Sequence, residues 1–163
     1  MRSICIGLGV SLAGPLSAVT TSTFQVNAQI VAGCLVVGGV SAYGVLNFGT
    51  RSALYVGNAD ASLGGTAVTF QCTPGVAMSM SLDGGQNSAA GSRNLKRGNG
   101  TQVVPYQLFQ DVALTQSLAI GQSVTVSYSN PAVIKLPLYA RAQLSGKVPA
   151  GTYTDVVQVT VTW

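Results

Sequence analysis

Four aspartates, Asp60, Asp83, Asp111 and Asp155, are the only carboxylate side chains in this 163-residue sequence, which contains neither histidine nor glutamate. A pair of carboxyls at a fixed separation is the minimum equipment for glycoside hydrolysis, and folding can bring distant aspartates together. Each of these four, however, stands beside glycines or near an expected strand end, where aspartate has an ordinary use in turns. The serines have no histidine to activate them, and no phosphate-cradling loop or dinucleotide fingerprint is present. Asp83 and Asn87 offer calcium a single carboxylate, a thin ligand set. The residue types point to a non-enzymatic chain with no catalytic residue, no metal site and no cofactor.

Cysteine chemistry is more informative. The sequence opens with Arg2, an apolar stretch from Ile4 to Ala13, the breakers Gly14 and Pro15, and a small-residue site at Leu16-Ser17-Ala18. That order describes a secretory leader, residues 1–18, rather than a membrane span, which needs about 20 apolar residues. Cys5 leaves with the leader. Cys34 and Cys72 remain, the one intramolecular disulfide open to an exported chain. A reduced buried pair is the alternative; two cysteines without histidine do not complete a tetrahedral metal site.

The elements that must position these residues read as strands. The chain is 47% hydrophobic and only 7% charged, with 20 glycines. Disordered chains show the opposite balance, and the abundance of Val, Thr and Gly favours an all-β protein with many turns. Thr69 to Cys72 belongs to a clear strand ended by Thr73-Pro74-Gly75. Val76, Met78, Met80 and Leu82 alternate with small residues, so the methionines read as core filler. Asp83-Gly84-Gly85 is a turn. Cys34 to Val37 and Val45 to Phe48 are short extended runs. Residues 50–65 and 86–101 read as long polar connections; the second carries Arg93, Lys96 and Arg97, taken as a solvated basic loop without the aromatic or basic stripe of a nucleic-acid binder. Gln102 to Gln110 is extended, with Pro105 placing it at an edge or bulge. Ser123 to Tyr128 and Ala132 to Ala142 follow. A last strand puts Tyr153, Val157, Val159, Val161 and Trp163 on one face, with Tyr153 in the manner of a corner tyrosine. About eight short strands of this kind make a single-domain β-sandwich.

The segment from Thr23 to Ile30 alternates without exception: Phe24, Val26, Ala28 and Ile30 against Thr23, Gln25, Asn27 and Gln29. Beside a freshly cleaved N-terminus, such a segment completes either its own sheet or that of another molecule.

Gly33-Cys34, Leu46-Asn47-Phe48-Gly49, Phe70-Gln71-Cys72, Leu82-Asp83-Gly84-Gly85, Val104-Pro105-Tyr106-Gln107-Leu108-Phe109-Gln110-Asp111 and Pro149-Ala150-Gly151-Thr152-Tyr153-Thr154-Asp155 follow one another in an order that resembles the spore coat protein U domain family, the subunits of archaic (Csu-type) chaperone–usher pili. The resemblance covers the whole chain from residue 19. It implies an incomplete immunoglobulin-like β-sandwich, completed first by a periplasmic pilus chaperone and then, at an outer-membrane usher, by the N-terminal segment of the next pilin subunit. Carried onto this chain, residues 19–30 are the donor strand, with Phe24, Val26, Ala28 and Ile30 inserted. The strand bearing Val157, Val159, Val161 and Trp163 borders the acceptor groove. The Cys34–Cys72 bridge matches the family's pair. The implied role is a surface pilus subunit supporting adhesion and biofilm formation. Two other readings stand beside it. One is a self-contained secreted sandwich, an adhesin or lectin-like module that binds carbohydrate or another surface through its long loops; the other is a spore or cell-coat structural protein.

Overall fold

The computed structural model describes residues 25–38, 43–64 and 68–163. The leader, Cys5 and Phe24 lie outside the described residues. Chain contacts separate Met1–Ile30 from Val31–Trp163. Within the first unit, residues 25–30 have no regular secondary structure and are all exposed, Val26 at 80% and Ile30 at 93%.

The second unit is built from antiparallel strands, twelve among the described residues and numbered β1–β12 in chain order. One sheet runs β1 (Cys34–Val37), β4 (Thr69–Cys72), β9 (Ile134–Lys135). A six-stranded sheet runs β11 (Tyr153–Thr154), β6 (Arg93–Arg97), β7 (Val103–Phe109), β10 (Tyr139–Ser145), β3 (Val56–Gly64), β2 (Val45–Leu46). A third sheet runs β12 (Val159–Thr162), β5 (Ser79–Leu82), β8 (Val124–Thr125). All three face one core. Phe70 and Cys72 come from β4, Met80 and Leu82 from β5, Val104, Tyr106 and Leu108 from β7, Ile134 from β9, and Ala140 and Ala142 from β10. Strict alternation in β4, β5 and most of β7 turns every second side chain inward, which is why a run of Val, Leu, Met and Phe at period two folds as it does.

Several expectations need correction. Residues 50–65 contain the longest strand among the described residues, β3, rather than a connection: it pairs with β10 from Val56↔Ser145 to Ser62↔Tyr139. Its inward residues are Ala59, Ala61 and Leu63, and the two alanines are too small to announce a strand. Asp60, on the other face, accepts two hydrogen bonds from Arg141 on β10.

The basic stretch is β6, not a solvated loop, and Arg93 is buried. Its guanidinium donates to the carbonyls of Asp83 at 2.8 Å, Leu118 at 2.7 Å and Leu82 at 3.1 Å. A buried charge is tolerable when every donor finds an acceptor, and backbone carbonyls do that here. With β3 and β6 formed, neither polar stretch that suggested a loop-based binding module is a long loop.

β7 lies between β6 and β10, not at an edge. Pro105 is accommodated because the pairing with β10 ends at Tyr106↔Ala142, while the partner of Pro105 is Asn94 on β6. The missing proline N–H falls where the strand is paired on one side only. Pro137 splits the run from 132 to 142 into β9 and β10, which join different sheets. The final run likewise divides into β11 and β12, with Trp163 beyond the last strand and 56% exposed.

Candidate functional site

Six strands end a sheet: β1, β9, β11, β2, β12 and β8. Four of these, β9, β11, β2 and β8, are only two residues long, and very short edge strands are one way proteins avoid edge-to-edge association. β1 and β12 are four residues each. Both carry apolar side chains, as does the two-residue β2. In β1, Leu35, Val36 and Val37 are all exposed. In β12, Val159 and Val161 alternate with exposed Thr160 and Thr162, and reach the core only half-buried, as does Val157 just before the strand. On its inner flank β12 pairs with β5 in the register Val159↔Leu82 to Thr162↔Ser79, with a hydroxyl contact of 2.7 Å between Ser79 and Thr162 on the outer face. On its other flank no strand pairs with it among the described residues.

β1 is anchored at its root. Cys34 and Cys72 are direct cross-strand partners and are bridged, with Cα atoms 4.0 Å apart. Thr73 N–H donates to the Gly33 carbonyl at 2.9 Å, and Gly33 N–H to Thr73 Oγ1 at 3.2 Å. The bridge closes a loop with a sequence separation of 38, for which chain entropy predicts about 4 kcal/mol of stabilisation.

The four aspartates all carry structural hydrogen bonds. Asp60 forms the bidentate pair with Arg141, which holds its carboxyl below the usual range, first through the hydrogen bonds and then through the charge. Asp111 accepts from the N–H groups of Thr115 and Gln116 and from the Thr115 hydroxyl, closing its own loop; the Gln116 bond leads in lowering its pKa. Asp83 Oδ1 accepts from Gly85 N–H and Gln158 N–H, both at 2.9 Å. Asp155 Oδ2 accepts from Tyr106 Oη at 2.7 Å, and its Oδ1 from Asn87 N–H and Nδ2. Burial, with the hydrogen bond to Asp155 second, raises the Tyr106 hydroxyl well above its ordinary pKa. The expectation of turn-type uses missed that Asp83 and Asp155 lie in one junction. Asp83 and Asn87 are bonded to the chain itself. Tyr153 Oη donates to the Pro149 carbonyl four residues back, at 2.8 Å, the bond expected of a corner tyrosine.

An open cleft of about 530 Å³ lies elsewhere, on the β8 side of β5, lined among others by Val76, Met78, Val126, Tyr128 and Pro131. Tyr128 donates its hydroxyl to the Val76 carbonyl there.

The architecture is that of an all-β, immunoglobulin-like sandwich. Its fold is similar to that of the P pilus rod subunit PapA, with a TM-score of 0.50 and 16% identity over 79% of this chain and 97% of that one. The Spore Coat Protein U domain model matches residues 20–160, and the chain belongs to that family. Among curated proteins it is similar to Protein U of Myxococcus xanthus, 28% identical in an alignment 158 positions long that covers 90% of this chain and 87% of the other. A chaperone–tip adhesion subunit complex, CsuC–CsuE, from the archaic chaperone-usher Csu pili of Acinetobacter baumannii superposes with a TM-score of 0.48 at 18% identity. That match covers 82% of this chain, which spans about 40% of the length of the matched one.

Proposed function

We propose that this protein is a structural subunit of a surface pilus assembled by the chaperone–usher pathway. The observation that carries the reading is the asymmetry of the edges among the described residues: four are only two residues long, while β1 and β12 run to four residues with apolar side chains left exposed or half-buried. An incoming strand on β12 would satisfy its free main-chain groups and cover Val157, Val159 and Val161, the β-augmentation mode of recognition. The donor is residues 19–30 of another subunit, with Phe24, Val26, Ala28 and Ile30 presented at period two. Completely burying a valine or isoleucine stabilises by about 1.5–3 kcal/mol, so three or four such residues suffice for a durable contact. Because donor and acceptor are different parts of each molecule, the contact is heterologous and does not close on itself, and fibres result.

The partners on this reading are a periplasmic pilus chaperone that covers the open edge first, the outer-membrane usher where strands are exchanged, and further pilin subunits. Residues 1–18 are removed on export, residues 19–163 form the pilin-like body with its arm, and the finished product stands on the cell surface in adhesion and biofilm formation. Membership of the family and the PapA-like fold support this assignment.

The test is to replace Phe24 and Ile30 with aspartate. Export and a one-to-one complex with the chaperone are expected to survive while polymer is lost, read by size-exclusion chromatography and electron microscopy. Normal polymer from the double variant overturns the donor assignment.

A further inference from the structure

Three of the sequence stretches that carry the family resemblance meet at one place, where the chain leaves β11 and enters β12. Asp155 follows β11. From β7, Tyr106 donates its hydroxyl to Asp155 Oδ2 at 2.7 Å. From the turn after β5, Asn87 donates its N–H and side-chain amide to Asp155 Oδ1 at 3.1 Å and 3.0 Å, and the same amide donates to the Thr154 carbonyl at 3.1 Å. Gly85 makes the approach possible: its φ of +79° suits glycine, and a Cβ there would stand 2.1 Å from Asp155 Oδ2.

The same turn grips the next residues. Gln86 N–H donates to the Val156 carbonyl at 3.1 Å, Asp83 N–H to the Gln158 carbonyl at 3.1 Å, and Gln158 N–H to Asp83 Oδ1 at 2.9 Å. Beneath it, buried Arg93 holds the carbonyls of Leu82 and Asp83, so the turn is itself fixed.

We propose that Asp155 is a positioning residue for strand acceptance: the Asp155–Tyr106–Asn87 clasp sets the register of β12 on β5 before a donor arrives. The proposal rests on the acceptor reading of β12. Asp155 does not belong to the edge; it acts through the root of the strand. β12 has four residues and, among the described residues, one neighbouring strand, so its ladder alone gives weak hold on register. A slip of one residue would exchange Val159 and Val161 for Thr160 and Thr162 on the inward face and ruin the surface a donor must meet. A subunit that holds the competent register only part of the time binds its donor more weakly by that fraction.

The full-length exported chain, wild type and with Tyr106→Phe, Asn87→Ala or Asp155→Ala, is titrated with a labelled synthetic peptide of residues 19–30. Amide exchange at residues 159–162 is followed in the free protein. Tyr106→Phe retains the buried ring and removes one hydrogen bond, so it decides the matter even where Asp155→Ala does not fold. The expected result is peptide affinity about tenfold weaker or more, faster exchange across β12, and a melting temperature of the peptide-saturated protein close to wild type. Unchanged peptide affinity in Tyr106→Phe and Asn87→Ala, with free and saturated proteins destabilised alike, makes the clasp a general stability element and overturns the proposal. Failure of the wild type itself to take up peptide overturns the acceptor reading instead, and the proposal with it.

Discussion

The six-stranded sheet and the β12 edge are made from the same kinds of residue and finished to different degrees. In the sheet, β10 is paired on both flanks and buries Ala140 and Ala142 completely, and the outermost strands shrink to two residues. In β12 no strand pairs on the outer flank among the described residues, and valines stop halfway into the core. Edge strands of one molecule can thus be finished to different degrees, strand by strand. On the proposed reading, the edges that end the subunit are two residues long, and the edge that receives the next strand is a four-residue apolar one.

Leu108→Ala in β7, which opens a cavity in a fully buried position, is expected to cost about 2–5 kcal/mol in free and assembled protein alike, measured by denaturant unfolding. An unequal cost in the two states would mean that the sheet, too, is completed by assembly. Replacing Cys34 and Cys72 together with alanine is expected to cost about 3–4 kcal/mol and to lower the midpoint by the same route. Val161→Ala sharpens the contrast: the loss is expected to be under about 1 kcal/mol in the free subunit, where the side chain is already half exposed, and about two- to threefold larger in the polymer.

Titration gives smaller effects of predictable sign. Asp60 and Asp111 have lowered pKa values in the folded state, so they favour folding above the ordinary carboxylate range, and that contribution disappears as acid protonates them. Tyr106 has a raised one, so its contribution holds below the ordinary tyrosine range and is lost as the solution becomes strongly alkaline. A melting-temperature profile against pH is expected to fall at both ends. The least effect belongs to Asp60→Asn, an exposed pair on the outer face of β3, for which calorimetry is expected to show a shift under about 2 °C.

What the amino-acid order disclosed, and what it hid, follows the same division. β5 was legible because Met78, Met80 and Leu82 are large and all face inward. β3 was hidden because a strand packed closely on its neighbours uses Ala59 and Ala61 where period-two reading looks for bulk. β6 was hidden because Arg93 and Asn94, both buried, mimic a surface loop in any hydropathy count; only the folded backbone supplies the carbonyls that make Arg93 at home. The splits at Pro137 and after Thr154 are changes of sheet, which periodicity does not report. The disulfide was readable from cysteine count and compartment. The meeting of Asp155 with Tyr106 and Asn87 was not, since the partners lie 49 and 68 residues away. The glycine doublet after Asp83 was the one local hint that something must come close.

The covalent bridge at the base of β1 has a mechanical meaning. Any tension applied through the N-terminal arm enters the folded body at Gly33 and Cys34, at the end of an edge strand that could otherwise be unzipped one rung at a time. Cys34 passes that load at once to Cys72 in the middle strand of its sheet, shielding the rungs beyond. If the proposed reading holds, a subunit so wired passes a pull along a fibre without fraying, and a reduced one peels from this strand first.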